Sequence, residues 1–275
     1  MKKSVAVVVP IYRDILDWYE QIAISQLKSV LGRYDVHVVA PPMIDTVWIQ
    51  SILPGCSVHV MAPWFFRSPY HYTFMMLGEG FYQQFGDYDH ILIHQTDAFV
   101  FRDELMEWVK TGYSYIGAPW RIRSHAAQRD KWLVGNGGFS LRNVAKTIDV
   151  LRTARAFASR KAFGPIPFGV PGGLGTLVLK LGLLGTRGTG WGPRDVPFLM
   201  NWFSQEDVFF GLIAPKLLSS FTVCEPELAI RFSFDAEPRY FYGENLGQLP
   251  FGCHGWQKND PQFWDEFIPR GASHD

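Results

Sequence analysis

Apolar runs recur along the first part of the chain, and each stops at a turn-forming or polar position. Ser4 to Pro10 is β-branched almost throughout, which suits a strand buried on both faces of a parallel sheet better than a half-exposed one. Asp35 to Ala40 is a second such run, closed by Pro41-Pro42, and Ser57 to Met61 is a third. Ile91, Leu92 and Ile93 form the centre of a fourth, with Asp97 just past its end. Between the first two, Ile15, Tyr19, Ile22, Leu27, Val30 and Leu31 fall at three- and four-residue steps, the period of an amphipathic helix. Asp17-Trp-Tyr-Glu20 has capping-box spacing at its start, and Gly32 marks its end. Strand, helix, strand predicts right-handed crossovers and a parallel sheet. Tyr70, Phe74, Leu77, Phe81 and Phe85 predict one helix from 70 to 85, although Gly78 and Gly80 each cost roughly 1 kcal/mol relative to alanine. Arg102 to Lys110 then reads as a short helix and Tyr113 to Gly117 as extended chain.

The pattern changes after Trp120. Gly135-Asn-Gly-Gly-Phe-Ser-Leu-Arg142 puts glycines directly before a strand-like segment, where something approaches the backbone closely. Asn143 is placed to cap a helix reaching about Arg155. Residues 163–197 are rich in glycine and proline, and only 174–184 has helical character, so a long mobile loop or lid is expected there. The apolar 174–184 segment could instead rest peripherally on a membrane surface or a partner, although it lacks the basic polar face such helices use. Ser204-Gln-Glu-Asp207 opens a helix through Leu218 with Phe209, Phe210, Ile213 and Leu217 inward, and Phe221 to Phe234 reads as largely extended.

Composition narrows the class. A chain of 275 residues, 47% hydrophobic and 16% aromatic, can bury a large core, and a single α/β domain with a long Gly/Pro-rich insertion accounts for its pattern. Its 26 basic residues balance its 26 acidic ones, so no global field attracts nucleic acid, and any anionic ligand must be held locally. Cys56, Cys224 and Cys253 are odd in number and widely spaced, and no apolar leader follows Met1, so a reduced, cytoplasmic protein is expected. No apolar run approaches the ~18 residues that would span a bilayer. Nothing in the pattern fixes an oligomeric state.

Three features carry candidate chemistry. Asp97 follows a buried strand, where open α/β sheets place their ligands. The glycines at 135–138 form the second feature. Glu206 and Asp207 open a helix, where the dipole favours acids by about 0.3–1 kcal/mol without any catalytic role; the same carboxylates are suited to general-base work.

Together with His254 between two glycines, these segments resemble metal-dependent glycosyltransferases of the GT-A fold. The likeness is closest to a poorly characterised bacterial glycosyltransferase-like family, on the run His94-Gln-Thr-Asp97-Ala-Phe-Val-Phe-Arg-Asp-Glu-Leu105, on Gly135 to Arg142, on Gln205-Glu-Asp-Val-Phe-Phe210 and on Cys253-His-Gly-Trp256. More distantly the chain resembles galactosyltransferases that use UDP-galactose. The resemblance spans roughly Val5 to Trp256. It implies a Rossmann-like, mostly parallel central sheet flanked by helices, with residues 1–120 as the nucleotide-binding half and 121–256 as the acceptor and catalytic half.

The resemblance further implies a UDP-hexose donor, a divalent cation (Mn2+ or Mg2+), and a glycan or lipid-linked glycan acceptor in bacterial surface polysaccharide synthesis. Asp97 and His254 would hold the metal. The related pattern has two acids separated by one residue, whereas here the earlier position is Gln95, which with Thr96 would face ribose or phosphate. Asp207 would be the base of an inverting displacement and Glu206 a ligand of the acceptor hydroxyl, the two roles being interchangeable. Asn136, Gly137 and Gly138 would pass beneath the donor sugar, and Pro10, Tyr12 and Arg13 would meet the nucleotide. Arg142 would approach the diphosphate or pair with a surface acid. Trp120, Trp191, Trp202 and Trp256 are candidates for stacking on sugar, while His90 and His94 read as packing. Two other readings stay open: a sugar-phosphate nucleotidyltransferase, disfavoured because Ile11-Tyr-Arg-Asp14 lacks glycine, and a non-catalytic glycan-binding or scaffold protein, which Gln95 favours.

Overall fold

The computed structural model describes residues 2–122, 131–160 and 205–269. Its central sheet has six strands in the order β3-β2-β1-β4-β9-β6. The strands are β1 (Lys3–Pro10), β2 (Asp35–Ala40), β3 (Ser57–Val60), β4 (Tyr88–His94), β6 (Tyr115–Ile116) and β9 (Phe139–Asn143). The first four run parallel, and β9 lies antiparallel to both β4 and β6. This is the mostly parallel, helix-flanked α/β sheet expected from the apolar runs. In β1, which is paired on both sides, Ala6 to Val9 are fully buried. Each such aliphatic side chain contributes roughly 1.5–3 kcal/mol by leaving water.

Helix α1 (Trp18–Leu31) follows β1, and the capping box of Asp17 and Glu20 is formed. Its buried face is Ala23, Ile24, Leu27 and Leu31. Ile15, expected inside, precedes the helix and is 73% exposed. Helix α2 (Thr46–Ile52) precedes β3, capped by Asp45. The single helix expected over 70–85 is two, α3 (Pro69–Met76) and α4 (Glu79–Gln83), with Gly78 as the extended residue between them. The glycine cost, minor when spread over a long helix, here coincides with a change of direction.

A second sheet, β10-β11-β5, is built from short strands far apart in sequence: β5 (Ala98–Val100), β10 (Ser233–Phe234) and β11 (Gly252–His254). It covers a separate core of Phe99, Phe234, Phe241, Cys253, Trp256 and Trp264. Trp256, proposed above as a sugar platform, is 2% exposed and packed edge-on to Trp18 and Tyr19. A two-stranded ribbon of β7 (Ala118–Ile122) and β8 (Lys131–Gly135) completes the sheets.

Helix α5 (Leu105–Lys110) starts later than expected, because Arg102 is used to donate to the carbonyls of Leu249 and Pro250. Helix α6 (Val144–Arg160) is capped by Asn143, whose Oδ1 accepts from Lys146 N at 3.0 Å. After Gln205 the chain enters α7 (Glu206–Val208), passes through a π-helical turn (Phe209–Ile213) and finishes in α8 (Ala214–Leu217). The N-cap is Gln205, without a side-chain cap bond, and Ser204 lies outside the described residues. Half of the segment expected to be extended from Phe221 to Phe234 is instead α9 (Pro226–Phe232), with Pro226 in the first helical turn. Helices α10 (Pro238–Glu244) and α11 (Pro261–Trp264) close the fold. The three cysteines are free and buried. Among the described residues no helix is long and apolar enough to cross a membrane. The expected loop at 163–197, the 174–184 segment, Trp191 and Trp202 lie outside the described residues.

One buried carboxylate ties the first helix to the strand ends. Glu20, 1% exposed, accepts from Arg13 at 2.6 Å and from the Asp17 amide at 2.8 Å, and takes the Thr96 hydroxyl on its other oxygen. Glu20→Ala is expected to lower unfolding stability by about 2 kcal/mol, less than a fully buried charged network would cost because Arg13 is partly exposed. Urea unfolding of the two proteins measures it.

Candidate active site

The second sheet brings an imidazole and two carboxylates together. Antiparallel pairing sets His254 opposite Ala98, one residue after Asp97, and parallel pairing sets Phe234 beside Cys253, so Asp235 emerges next to His254. His254 Nε2 lies 3.1 Å from Asp97 Oδ1 and 3.0 Å from Gln95 Oε1, and its Nδ1 lies 3.2 Å from Asp235 Oδ1. Lys258 Nζ donates to the other Asp97 oxygen at 2.8 Å. Burial opposes charge on His254, but Asp97 and Asp235 outweigh it and raise its pKa to about 10. Burial likewise works against the ionised form of Asp97, yet His254 and Lys258 hold that carboxyl well below its usual range.

The glycine segment forms the floor. Asn136 adopts the left-handed backbone (φ 65°), and its Oδ1 accepts from the amides of Gly138 and Phe139 at 2.8 and 3.1 Å. That turn lays the next two residues flat against site side chains. A Cβ on Gly137 would come within 1.9 Å of Glu206 Oε1, and one on Gly138 within 2.2 Å of the His254 ring. The glycines are therefore required by close approach.

The acidic pair lines the same cavity as His254. Glu206 is buried, with Oε1 3.5 Å from Arg142 Nη2 and Oε2 accepting from Thr73 Oγ1 at 3.2 Å. Arg142 is fully buried and also donates to Tyr82 Oη at 2.7 Å, to Ser140 Oγ at 3.0 Å and to the Gly137 carbonyl at 3.3 Å. It does not reach a surface acid. Among the described residues the Asp207 side chain accepts from the neighbouring Val208 amide, at 2.8 Å. Burial, then the charge of Glu206, push its pKa up to about 6.

These groups face one cavity of about 680 Å3, lined by Gln95, Asn136, Gly137, Gly138, Glu206, Asp207, Asp235 and His254, with Ser68, Pro69, Tyr70, Tyr72, Thr73, Trp120 and Gln205 around them. The structure thus gathers Gln95, Asn136, Gly137, Gly138, Glu206, Asp207 and His254, with Asp97 against His254. It leaves Pro10, Tyr12, Arg13, Thr96 and Asp97 itself outside the lining. Pro10 is a buried strand end, Arg13 is paired with Asp17 and Glu20, and Thr96 gives its hydroxyl to Glu20. Tyr12 is 53% exposed and close enough to Asp97 and Lys258 to feel both charges. Among the described helices, the one that follows Asp97 begins at Leu105 with Glu104, not Asp97, as its N-cap. His94 is fully buried, and burial lowers its pKa to about 4, consistent with packing. A smaller cavity of about 420 Å3 between α1 and α2, lined in part by Ile15, Lys28 and Trp48, gathers no comparable set of groups.

Sequence reading missed Asp235, Lys258 and Thr73. A signal existed for Asp235, since it ends Phe232-Ser-Phe234 much as Asp97 follows the β4 run. Lys258 and Thr73 offered none.

A divalent cation has a compatible donor set here. Gln95 Oε1 and Asp97 Oδ1 both lie near His254 Nε2, at separations that neighbouring ligands adopt around one small ion with bonds of about 2.1 Å. Asp235 is on the opposite ring nitrogen and cannot join them. Among the described residues no group of three His, Cys, Asp or Glu is arranged to hold a metal, so the set depends on the Gln95 amide oxygen.

The glycine contacts give a graded expectation. Gly137→Ala and Gly138→Ala are each expected to destabilise by about 1–3 kcal/mol through overpacking. Gly243→Ala, in α10 with nothing within 4 Å of the added carbon, is expected to stabilise by about 0.5–1 kcal/mol. Urea midpoints rank the three variants.

No curated protein matches the chain in sequence. Among solved structures it is similar to mouse xyloside xylosyltransferase 1 in its apo form, at a TM-score of 0.49 and 12% identity, covering 92% of this chain and 97% of that one. It is similar also to the galactosyltransferase LgtC in complex with donor and acceptor sugar analogs, at 0.47 and 12%, covering 90% and 86%. A third is the apo glycosyltransferase GlyE of Streptococcus pneumoniae TIGR4, at 0.41 and 13%, covering 92% of this chain and 54% of that chain, so this chain spans about half the GlyE structure. Residues 55–254 match the family described as "Protein of unknown function (DUF5672)", and the chain belongs to that family.

Proposed function

We propose that the protein is a glycosyltransferase that moves a hexose from a nucleotide sugar, with UDP as the carrier, to a hydroxyl of a glycan acceptor. The observation that carries the reading is one cavity lined both by a carboxylate with raised pKa (Asp207) and by Gln95 and His254, the latter paired with Asp97, which in turn pairs with Lys258, a cluster suited to an anionic leaving group. Sugar transfer from a nucleoside diphosphate needs both: an acceptor proton must go somewhere, and the leaving diphosphate must be neutralised.

In this reading Asp207 takes the proton of the acceptor hydroxyl as that oxygen attacks the anomeric carbon, with inversion. Glu206 is a poorer base, since both its oxygens face donors in Arg142 and Thr73. We assign it to holding the cavity wall. Gln95, Asp97 and His254 would hold a divalent cation, which when bound offsets charge developing on the diphosphate. Lys258 adds a positive group on the outer side of Asp97. The flat backbone at Gly137 and Gly138 leaves room for a sugar ring, and Trp120 and Tyr70 offer apolar faces on which one can rest. Arg13, paired with Asp17 and Glu20, is unavailable as the phosphate-binding group a nucleotidyltransferase needs after its first strand.

A screen of UDP-, GDP- and CMP-sugars with and without Mn2+ tests the proposal. Slow, Mn2+-stimulated hydrolysis of a UDP-sugar is expected in the wild type and is lost in Asp97→Ala. Asp207→Asn is expected to lower transfer to an acceptor about 100-fold or more. Because the base works ionised, wild-type transfer should rise with pH through about 6, and that limb should vanish in Asp207→Asn. Glycan binding without donor hydrolysis under any condition would reject the transferase.

A further inference from the structure

Asp235 has no place in the chemistry above, yet it is one of the two carboxylates touching His254. It stands at the end of β10, and the β10–β11 register places it beside the ring. Its Oδ1 lies 3.2 Å from His254 Nδ1 and accepts from Asn259 Nδ2 at 3.2 Å. The Asn136 amide reaches the same place, 3.1 Å from Nδ1 and hydrogen-bonded to Asp235. Asn136 is held in turn by its own bonds to the Gly138 and Phe139 amides. The carboxylate is thus fixed by two amides from two other segments, one after β11 and one in the turn after β8.

The ring is restrained on a second side as well. Gly138 lies flat against it, so the imidazole cannot tilt toward the floor. What is left to determine is which nitrogen faces Gln95 and Asp97. We propose that Asp235 is the positioning residue of the site: it accepts the Nδ1 proton of His254 and thereby keeps Nε2 turned to Gln95 and Asp97, ready to ligate a cation. A metal-bound imidazole characteristically gives its other N–H to an oxygen acceptor, and loss of that acceptor typically weakens metal binding 10–100-fold. The inference rests on the metal-assisted reading of the site, but the contact itself can be measured without any metal.

The test compares wild type, Asp235→Ala and Asp235→Asn, the last keeping an acceptor oxygen of the same reach. The first readout is the His254 Nδ1–H proton in 1H–15N spectra of metal-free protein. It is expected to be downfield and slow to exchange in the wild type, lost to solvent exchange in Asp235→Ala, and kept in Asp235→Asn. The second is Mn2+ affinity by titration calorimetry, expected to fall 10–100-fold in Asp235→Ala and to recover at least half of that loss, on a logarithmic scale, in Asp235→Asn. Persistence of the slow Nδ1–H proton in a folded Asp235→Ala protein overturns the proposal, as does its loss with Mn2+ affinity within twofold of wild type. If the wild type itself binds no Mn2+ while the Nδ1–H proton follows the expected pattern, the metal-assisted reading fails and the orienting contact is upheld.

Discussion

His254 can be held between Asp97 and Asp235 only because three strands of two or three residues pair in one register. Moving β10 by a single residue against β11 would turn Asp235 to the other face of the sheet, since side chains alternate along a strand. Strands this short do not stabilise themselves. The aromatic core under them does, with Phe99, Phe234, Cys253 and Trp256 packed together beneath the ladder. The geometry around His254 is therefore a consequence of packing in the second core rather than in the central sheet.

Two further buried carboxylates, Glu206 and Glu20, tie together segments that carry the site residues. Glu206 and Arg142 form an ion pair out of water, where the Coulombic gain is largely offset by desolvation, so its contribution is better sought in geometry than in stability. Arg142 also holds the Gly137 carbonyl, and Gly137 rests on Glu206. Floor and wall are thereby in direct contact. Away from the cavity lining, Glu20 closes the cap of α1 and grips Thr96, the residue next to Asp97. The loop carrying Asp97 is thereby tied to the start of the first helix. Asp207, by contrast, accepts from its neighbouring backbone amide among the described residues and is held by no side-chain ion pair there.

Much of this was readable in the chain. β-branched runs ending at proline or at a carboxylate located the parallel strands, since a strand buried on both faces has little freedom in composition. The capping box at Asp17 and Glu20 and the cap at Asn143 were legible because caps depend on contacts only a few residues apart. Where local pattern misled, a backbone breaker decided: Gly78 split one helix into two, and Pro226 began a helix in a segment rich in strand-forming residues. The site was legible in part. Gln95, Asn136, Gly137, Gly138, Glu206, Asp207 and His254 were each visible as a polar or glycine interruption in apolar surroundings, and they do share a cavity.

By itself, then, the sequence determined the apolar parallel strands, the helices with local caps, and a short set of residues suited to anion and proton chemistry, because these depend on periodicity and near neighbours. Tertiary structure decided what each of those residues is for. It spent Arg142 and Glu206 on each other, gave Thr96 and Arg13 to Glu20, and buried Trp256 in the second core. It also brought Asp235 and Lys258 to the Asp97–His254 pair. Most of those outcomes hang on register and packing between segments tens to more than a hundred residues apart, and no local pattern encodes them.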